Sequence, residues 1–149
     1  MSKALLSPSH TIIRWAARNK LTHDPDTLEP IGFQPIAFKL RKGEEYLSAA
    51  QINHYGGTHD DQLKAAAAKL AEIVHASPTK GGAFAVGGVS EICADGVKQG
   101  ATIEAEAAPA KHHPAYVRVW GVAEDDLALQ TLLAYNSWSK MALSRDVLS

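Results

Sequence analysis

The chain has 149 residues, room for one ordinary domain. Hydrophobic residues make up 46% and charged residues 21%, a balance that excludes wholesale disorder. With 15 Lys+Arg against 16 Asp+Glu the net charge is −1, which excludes a global basic footprint for nucleic acid. The lone cysteine, Cys93, rules out an intrachain disulfide and suits a reducing compartment. No apolar run approaches the ~18 residues of a membrane span, and the N-terminal MSKALLSPSH has no signal-peptide core. The expectation is a cytoplasmic, soluble single domain over 1–149, with ragged ends at about 1–8 and 140–149.

Ser7-Pro8-Ser9-His10 reads as a turn or helix entry, with Ser7 as the cap. In the next segment Ile12, Ile13, Ala16 and Ala17 also suit a helix face, but the β-branched and aromatic residues favour a strand over 11–16. From Asn19 to Gln34 the chain carries Pro25, Pro30 and Gly32 and reads as a long loop, a lid, binding loop or mobile segment. Strands are expected over 35–40 and 45–49, joined by a turn bearing Arg41, Lys42, Glu44 and Glu45. Thr58 or Asp60 then caps the clearest helix, about 60–76, whose stripe is Leu63, Ala67, Leu70 and Val74, joined by Ala66 and Ile73. Ser77-Pro78 stops it.

A buried strand at 82–88 leads to a short helix at 91–97 capped by Ser90. The segment 101–107 alternates, with Glu104 and Glu106 outward and Ile103 and Ala105 inward. Strand 115–122 sets Tyr116, Arg118 and Trp120 opposite Val117 and Val119. A helix over 124–138 closes the list. Together these predict an α+β domain, a curved, mainly antiparallel sheet packed with two main helices.

Several groups suggest chemistry. The seven histidines lack the convergent spacing of a zinc site: His54 and His59 flank a Gly-Gly loop, and the adjacent His112 and His113 diverge on extended backbone. No metal and no cofactor is therefore expected. Cys93 sits in an apolar turn and reads as packing. Gly87-Gly88 before a helix start offers backbone amides to an anion, or simply allows a tight bend against the alanine-rich helix. The sharpest constellation is Arg14, Arg41, Glu45, Ser48 and His113. In it the arginines would grip phosphate, Glu45 would act as acid or base, and Ser48 and His113 would orient the substrate. The same pattern also fits ion pairs that hold a sheet edge together.

Arg14, Phe38 with its basic neighbour, Glu44-Glu45-Tyr46-Leu47-Ser48, Gly82 to Val86 and His113-Pro114-Ala115-Tyr116 resemble a family of small uncharacterised bacterial proteins. The chain departs from that pattern at Ala49, where a β-branched residue is usual, and at Pro114, between His113 and the small Ala115. The resemblance implies a bacterial, cytoplasmic, single-domain protein, an accessory in multi-gene systems, and carries no activity.

Two functions follow as expectations. One is an accessory or protein-interaction domain, with a protein partner or a second copy docking on Tyr135, Trp138 and Met141 near the C-terminus. The other is a small enzyme acting on a nucleotide or phosphorylated small molecule through the five residues above, ADP-ribosyl-transfer-like by fold analogy only. Nucleic acid and membrane are not expected partners.

Overall fold

The computed structural model describes residues 3–77 and 79–148. In chain order its first strands are β1 (Thr11–Ala16), β2 (Leu21–His23), β3 (Pro30–Phe33) and β4 (Leu47–Gln51), followed by helix α1 (His59–Val74). After these come β5 (Ala83–Gly88), α2 (Val89–Lys98), β6 (Glu104–Ala107) and β7 (Tyr116–Trp120). The chain ends with α3 (Leu127–Leu132), β8 (Lys140–Leu143) and α4 (Ser144–Val147). Six strands pair antiparallel in the order β6-β7-β4-β1-β5-β8, and β2 and β3 form a separate hairpin. The α+β class read from the sequence is the class the chain adopts. No helix among the described residues is long and apolar enough to cross a membrane.

Strand alternation builds a core on each side of the sheet. Ile12 and Ala16 of β1, Leu47 and Ala49 of β4, and Val117 and Val119 of β7 face one side. There they meet Ile92 of α2, Leu129 of α3 and the large Trp138. Ile13, Ala50, Phe84 and Val86 face the other side and meet Ala66, Ala67, Leu70 and Ala71 of α1. The alanines let the α1 backbone lie close to the strands, while Leu70, 1% exposed, supplies the bulk. Burying that one side chain contributes about 1.5–3 kcal/mol. Ile73, assigned to the same stripe from spacing, is instead 50% exposed.

Local chemistry sets the ends of α1. Thr58 Oγ1 accepts the Asp61 N–H at 3.1 Å, and the Asp61 carboxylate accepts the Thr58 N–H at 3.0 Å, a reciprocal capping box. At the other end His75 adopts a left-handed conformation, φ 57°, and closes the helix through its N–H to the Ala71 carbonyl. The expected stop at Pro78 lies outside the described residues.

Several expectations are corrected. Residues 35–40 are not a strand: Pro35–Phe38 form a 3-10 turn folded over the sheet face, so that Ala37 and Phe38 are buried. Pro35 has no N–H for a ladder, which favours the turn. The 19–34 segment is not an irregular loop, because its centre is the β2–β3 hairpin, rooted by the buried Leu21 and Phe33. The cap of α2 is Gly88, not Ser90.

The C-terminal region differs most. The expected 124–138 helix is regular only over α3, where Asp126 caps Leu129. It widens into a π turn over Leu133–Ser137. Asp95 of α2, 1% exposed, pins that turn by accepting from Asn136 Nδ2 at 2.9 Å and from the Ser137 N–H at 3.2 Å. Burial pushes the Asp95 carboxyl up, but the hydrogen bonds from Ser137, Asn136 and Lys98 outweigh it and hold it below the ordinary carboxylate range. Residues 140–147, expected to be ragged, are an edge strand paired with β5 and a closing helical turn. At the N-terminus, Leu6 donates its N–H to the Ala105 carbonyl, tying the leading segment to β6.

Candidate functional site: a cationic cavity beside Arg14

The ladder between β1 and β4 is short. It pairs Ile12 with Gln51 and Ile13 with Ala50 and then stops, although β1 continues to Ala16 and β4 begins at Leu47. Continued in register, Trp15 would lie opposite Ser48. Arg14 occupies the opening instead. Its Nε–H donates to the Ala37 carbonyl at 2.8 Å and its Nη1 to the Ser48 carbonyl at 2.9 Å. The side chain thus donates where the β1–β4 ladder stops, to one carbonyl of β4 and one of the 35–38 turn, both part-buried.

A cavity of about 470 Å³ opens beside this guanidinium. Its lining combines polar groups, Arg14, Lys20, Arg41 and Ser48, with apolar ones, Trp15, Leu70, Ile73 and Val74. Glu44 is the one carboxylate on its wall, and His75 lies at the α1 end. Each element has a local reason for its contribution. The hairpin root delivers Lys20, the turn after the 35–38 segment delivers Arg41, and the left-handed α1 cap turns His75 toward the cavity. Glu44 is held in place because its Oε1 accepts the Arg41 backbone N–H at 2.6 Å.

The cations feel one another. Burial pulls the Arg14 guanidinium down to about 10, with Glu44 opposing and Arg41 adding to the shift, so it keeps its proton at neutral pH. Lys20 is lowered first by burial and then by Arg41 and Arg14. None of the three lies within salt-bridge distance of a carboxylate among the described residues. Three positive charges around one cavity, opposed by a single wall carboxylate, make an arrangement that a bound anion would relieve.

Of the five residues grouped from sequence, Arg14, Arg41 and Ser48 come together here. Glu45 does not reach the cavity: it is exposed and lines a neighbouring depression with Gly43, Glu44, Tyr46 and Ser48. His113 is buried, 2% exposed, where the chain enters β7, with its ring against Tyr116 at 5.3 Å. His112 beside it is exposed. Ser48 Oγ is tied to the Tyr116 hydroxyl at 2.7 Å. Lys20, Glu44 and His75 were missed as site residues. Lys20 is placed by the β2–β3 root and His75 by the packing of α1 on the sheet, long-range features that local spacing does not carry.

Both His113 ring nitrogens are buried without a partner. Burial, and then Lys69, lower its pKa from the ordinary 6.5, with Glu72 opposing. The folded chain therefore binds this proton less readily than the unfolded chain. Stability should be fully present above about pH 6.5 and fall as pH drops through the lowered folded value. Urea melts at steps from pH 7.5 to 5 check this, and His113→Leu should flatten the acid limb; an unchanged slope would rule it out.

Other sequence candidates resolve as structure. Among the described residues no three His, Cys, Asp or Glu side chains converge as a metal site. Cys93 donates its thiol to the Ile103 carbonyl at 3.3 Å, and burial followed by Glu104 pushes its pKa up, the reverse of an activated nucleophile. The first amides of α2 are already spent, Val89 on the His10 carbonyl and Ser90 on that of Pro8. Gly87 is required because a Cβ there would lie 2.6 Å from the Ser137 carbonyl oxygen, so its close neighbour is the π turn and not α1. Trp138, expected at a surface interface, is fully buried, and Met141 is half-buried; Tyr135 alone of the three stays exposed.

No protein-family model matches the chain, and no curated protein or solved structure does, so what the site can do follows from its own geometry.

Proposed function

We propose that the chain is a binding domain for a small organic anion, a phosphate or carboxylate compound, held in the cavity beside Arg14. The observation that carries this reading is the set Arg14, Lys20 and Arg41, none of them salt-bridged among the described residues, lining one cavity together with the apolar Trp15, Leu70, Ile73 and Val74. Arg14 is pre-aimed by two carbonyls, so little side-chain entropy is lost when an anion arrives. The apolar lining residues suit the carbon skeleton that carries the anion. Binding comes ahead of turnover because Glu45 and His113 stand outside the cavity; any acid–base step would fall to Glu44 or His75. The free, half-buried Cys93 fits a reducing, cytoplasmic setting.

Calorimetric titration of the whole chain with inorganic phosphate, with acetate as the carboxylate arm, tests the reading. Saturable binding that weakens as salt rises is expected; no heat from either anion at about 10 mM, a concentration that detects even millimolar affinity, overturns it.

A second reading, a domain that docks on a protein partner, is favoured by the hairpin tip. Leu28 is 67% exposed there and is held at φ 63°, a conformation that costs a leucine about 1 kcal/mol. Asp24 fixes the tip by accepting the N–H groups of Asp26 and Thr27. Under this reading Leu28→Ser abolishes capture of a host partner with phosphate affinity unchanged; capture that survives the change removes it.

A further inference from the structure

A second depression adjoins the cavity at Ser48. Glu44 and Ser48 also line the neighbouring depression of about 310 Å³, whose remaining walls are Gly43, Glu45 and Tyr46. The two spaces share a wall and differ in charge. One presents Arg14, Lys20 and Arg41; the other presents Glu44 and Glu45 and no cation. An anion is favoured in the first and repelled from the second.

Tyr46 gives the second space a fixed aromatic wall. The Arg118 guanidinium sits over its ring at 5.0 Å, and the Trp120 ring packs against it at 5.1 Å. Trp120 is itself anchored, its Nε1–H donating to Glu106 at 3.0 Å. Packed by Arg118 and Trp120, the half-buried Tyr46 side chain has already lost rotamer freedom, so a ring laid against the surface it presents to the depression costs little entropy. Tyr46 and Ser48 are two residues apart on extended chain and share a face, which sets them about 7 Å from one another.

Resting on the proposed anion site, we infer that the ligand is a monophosphorylated compound with a neutral ring, a sugar or nucleoside, carrying hydrogen-bond donors. The phosphate lies among Arg14, Lys20 and Arg41, and the ring lies against Tyr46 with its hydroxyl or amino donors toward Glu44 and Glu45. The carboxylates select for those donors and against a second anionic group. Tyr46 discriminates the ring, and the cations are indifferent to it.

Titrations of the whole chain with inorganic phosphate, ribose 5-phosphate and adenosine 5′-monophosphate test this. At least one ring-bearing phosphate should bind about 10-fold or more tighter than inorganic phosphate. Tyr46→Leu should remove that gain and leave inorganic phosphate affinity unchanged, which also reports that the variant is folded. Equal affinity for all three compounds, or a gain that survives both Tyr46→Leu and Glu45→Gln, overturns the ring subsite while the anion site stands. Absence of inorganic phosphate binding, by contrast, overturns the anion site itself.

Discussion

Trp138→Ala should lower the unfolding free energy by about 3–5 kcal/mol, the range for emptying a large aromatic from a packed core. Trp138 has no exposed surface and packs on Phe38 with ring centroids 5.2 Å apart. Its Nε1–H donates to the Ala85 carbonyl at 3.1 Å, so truncation also leaves a buried acceptor without its donor. The loss is a large share of a typical domain stability of about 5–15 kcal/mol. At this chain length it should appear as a fall in melting temperature of roughly 10 °C. Tyr135→Ala is the control: that side chain is 62% exposed, and the change should stay within about 0.5 kcal/mol. Urea melts of the two variants check both numbers, and similar small effects would place Trp138 outside the core.

Arg14→Ala should damage binding and stability together. The guanidinium offers the cavity a positive charge while bonding the Ala37 and Ser48 carbonyls. Losing a charge-assisted contact to an anion is worth about 1.5–3 kcal/mol, so phosphate affinity should fall roughly 10- to 100-fold. Two carbonyls that lose their donor should cost a further 1–3 kcal/mol of folding stability, roughly. Arg14→Lys separates the effects. It keeps the charge and part of the affinity, but an ammonium has no planar fork to serve two carbonyls and an anion at once, so stability should not fully recover. Titration calorimetry and urea melts on both variants read the two quantities. Unchanged phosphate affinity in Arg14→Ala would remove Arg14 from the site.

The two outer elements of the sequence reading failed for one reason. The Pro-punctuated 19–34 segment carries a hairpin whose strands are only three and four residues long, too short to show alternation. It is stabilised by the distant packing of Leu21 and Phe33 against the main core. β8 is likewise four residues, and its place beside β5 comes from a partner more than fifty positions earlier in the chain. Trp138 was read as a surface anchor with Tyr135 and Met141, because aromatics and methionine near a chain end suit an interface. The π turn pinned by Asp95 rotates the indole inward, and that turn depends on a side chain in another helix.

By itself the sequence determined the α+β class, the central strands, α1 with its cap narrowed to Thr58 or Asp60, and the outward row Tyr116, Arg118 and Trp120. Periodicity and capping are local, and burial on a six-stranded sheet reinforces them. It also marked Arg14, Arg41 and Ser48 as belonging together. Only the tertiary structure decided what surrounds them. The interrupted β1–β4 ladder, the hairpin root bearing Lys20 and the α1 terminus bearing His75 meet at one cavity, whereas Glu45 and His113 fall outside it. Those placements depend on which carbonyls lack a ladder partner and on which segments pack over the opening. Both are set by contacts between residues far apart in the chain.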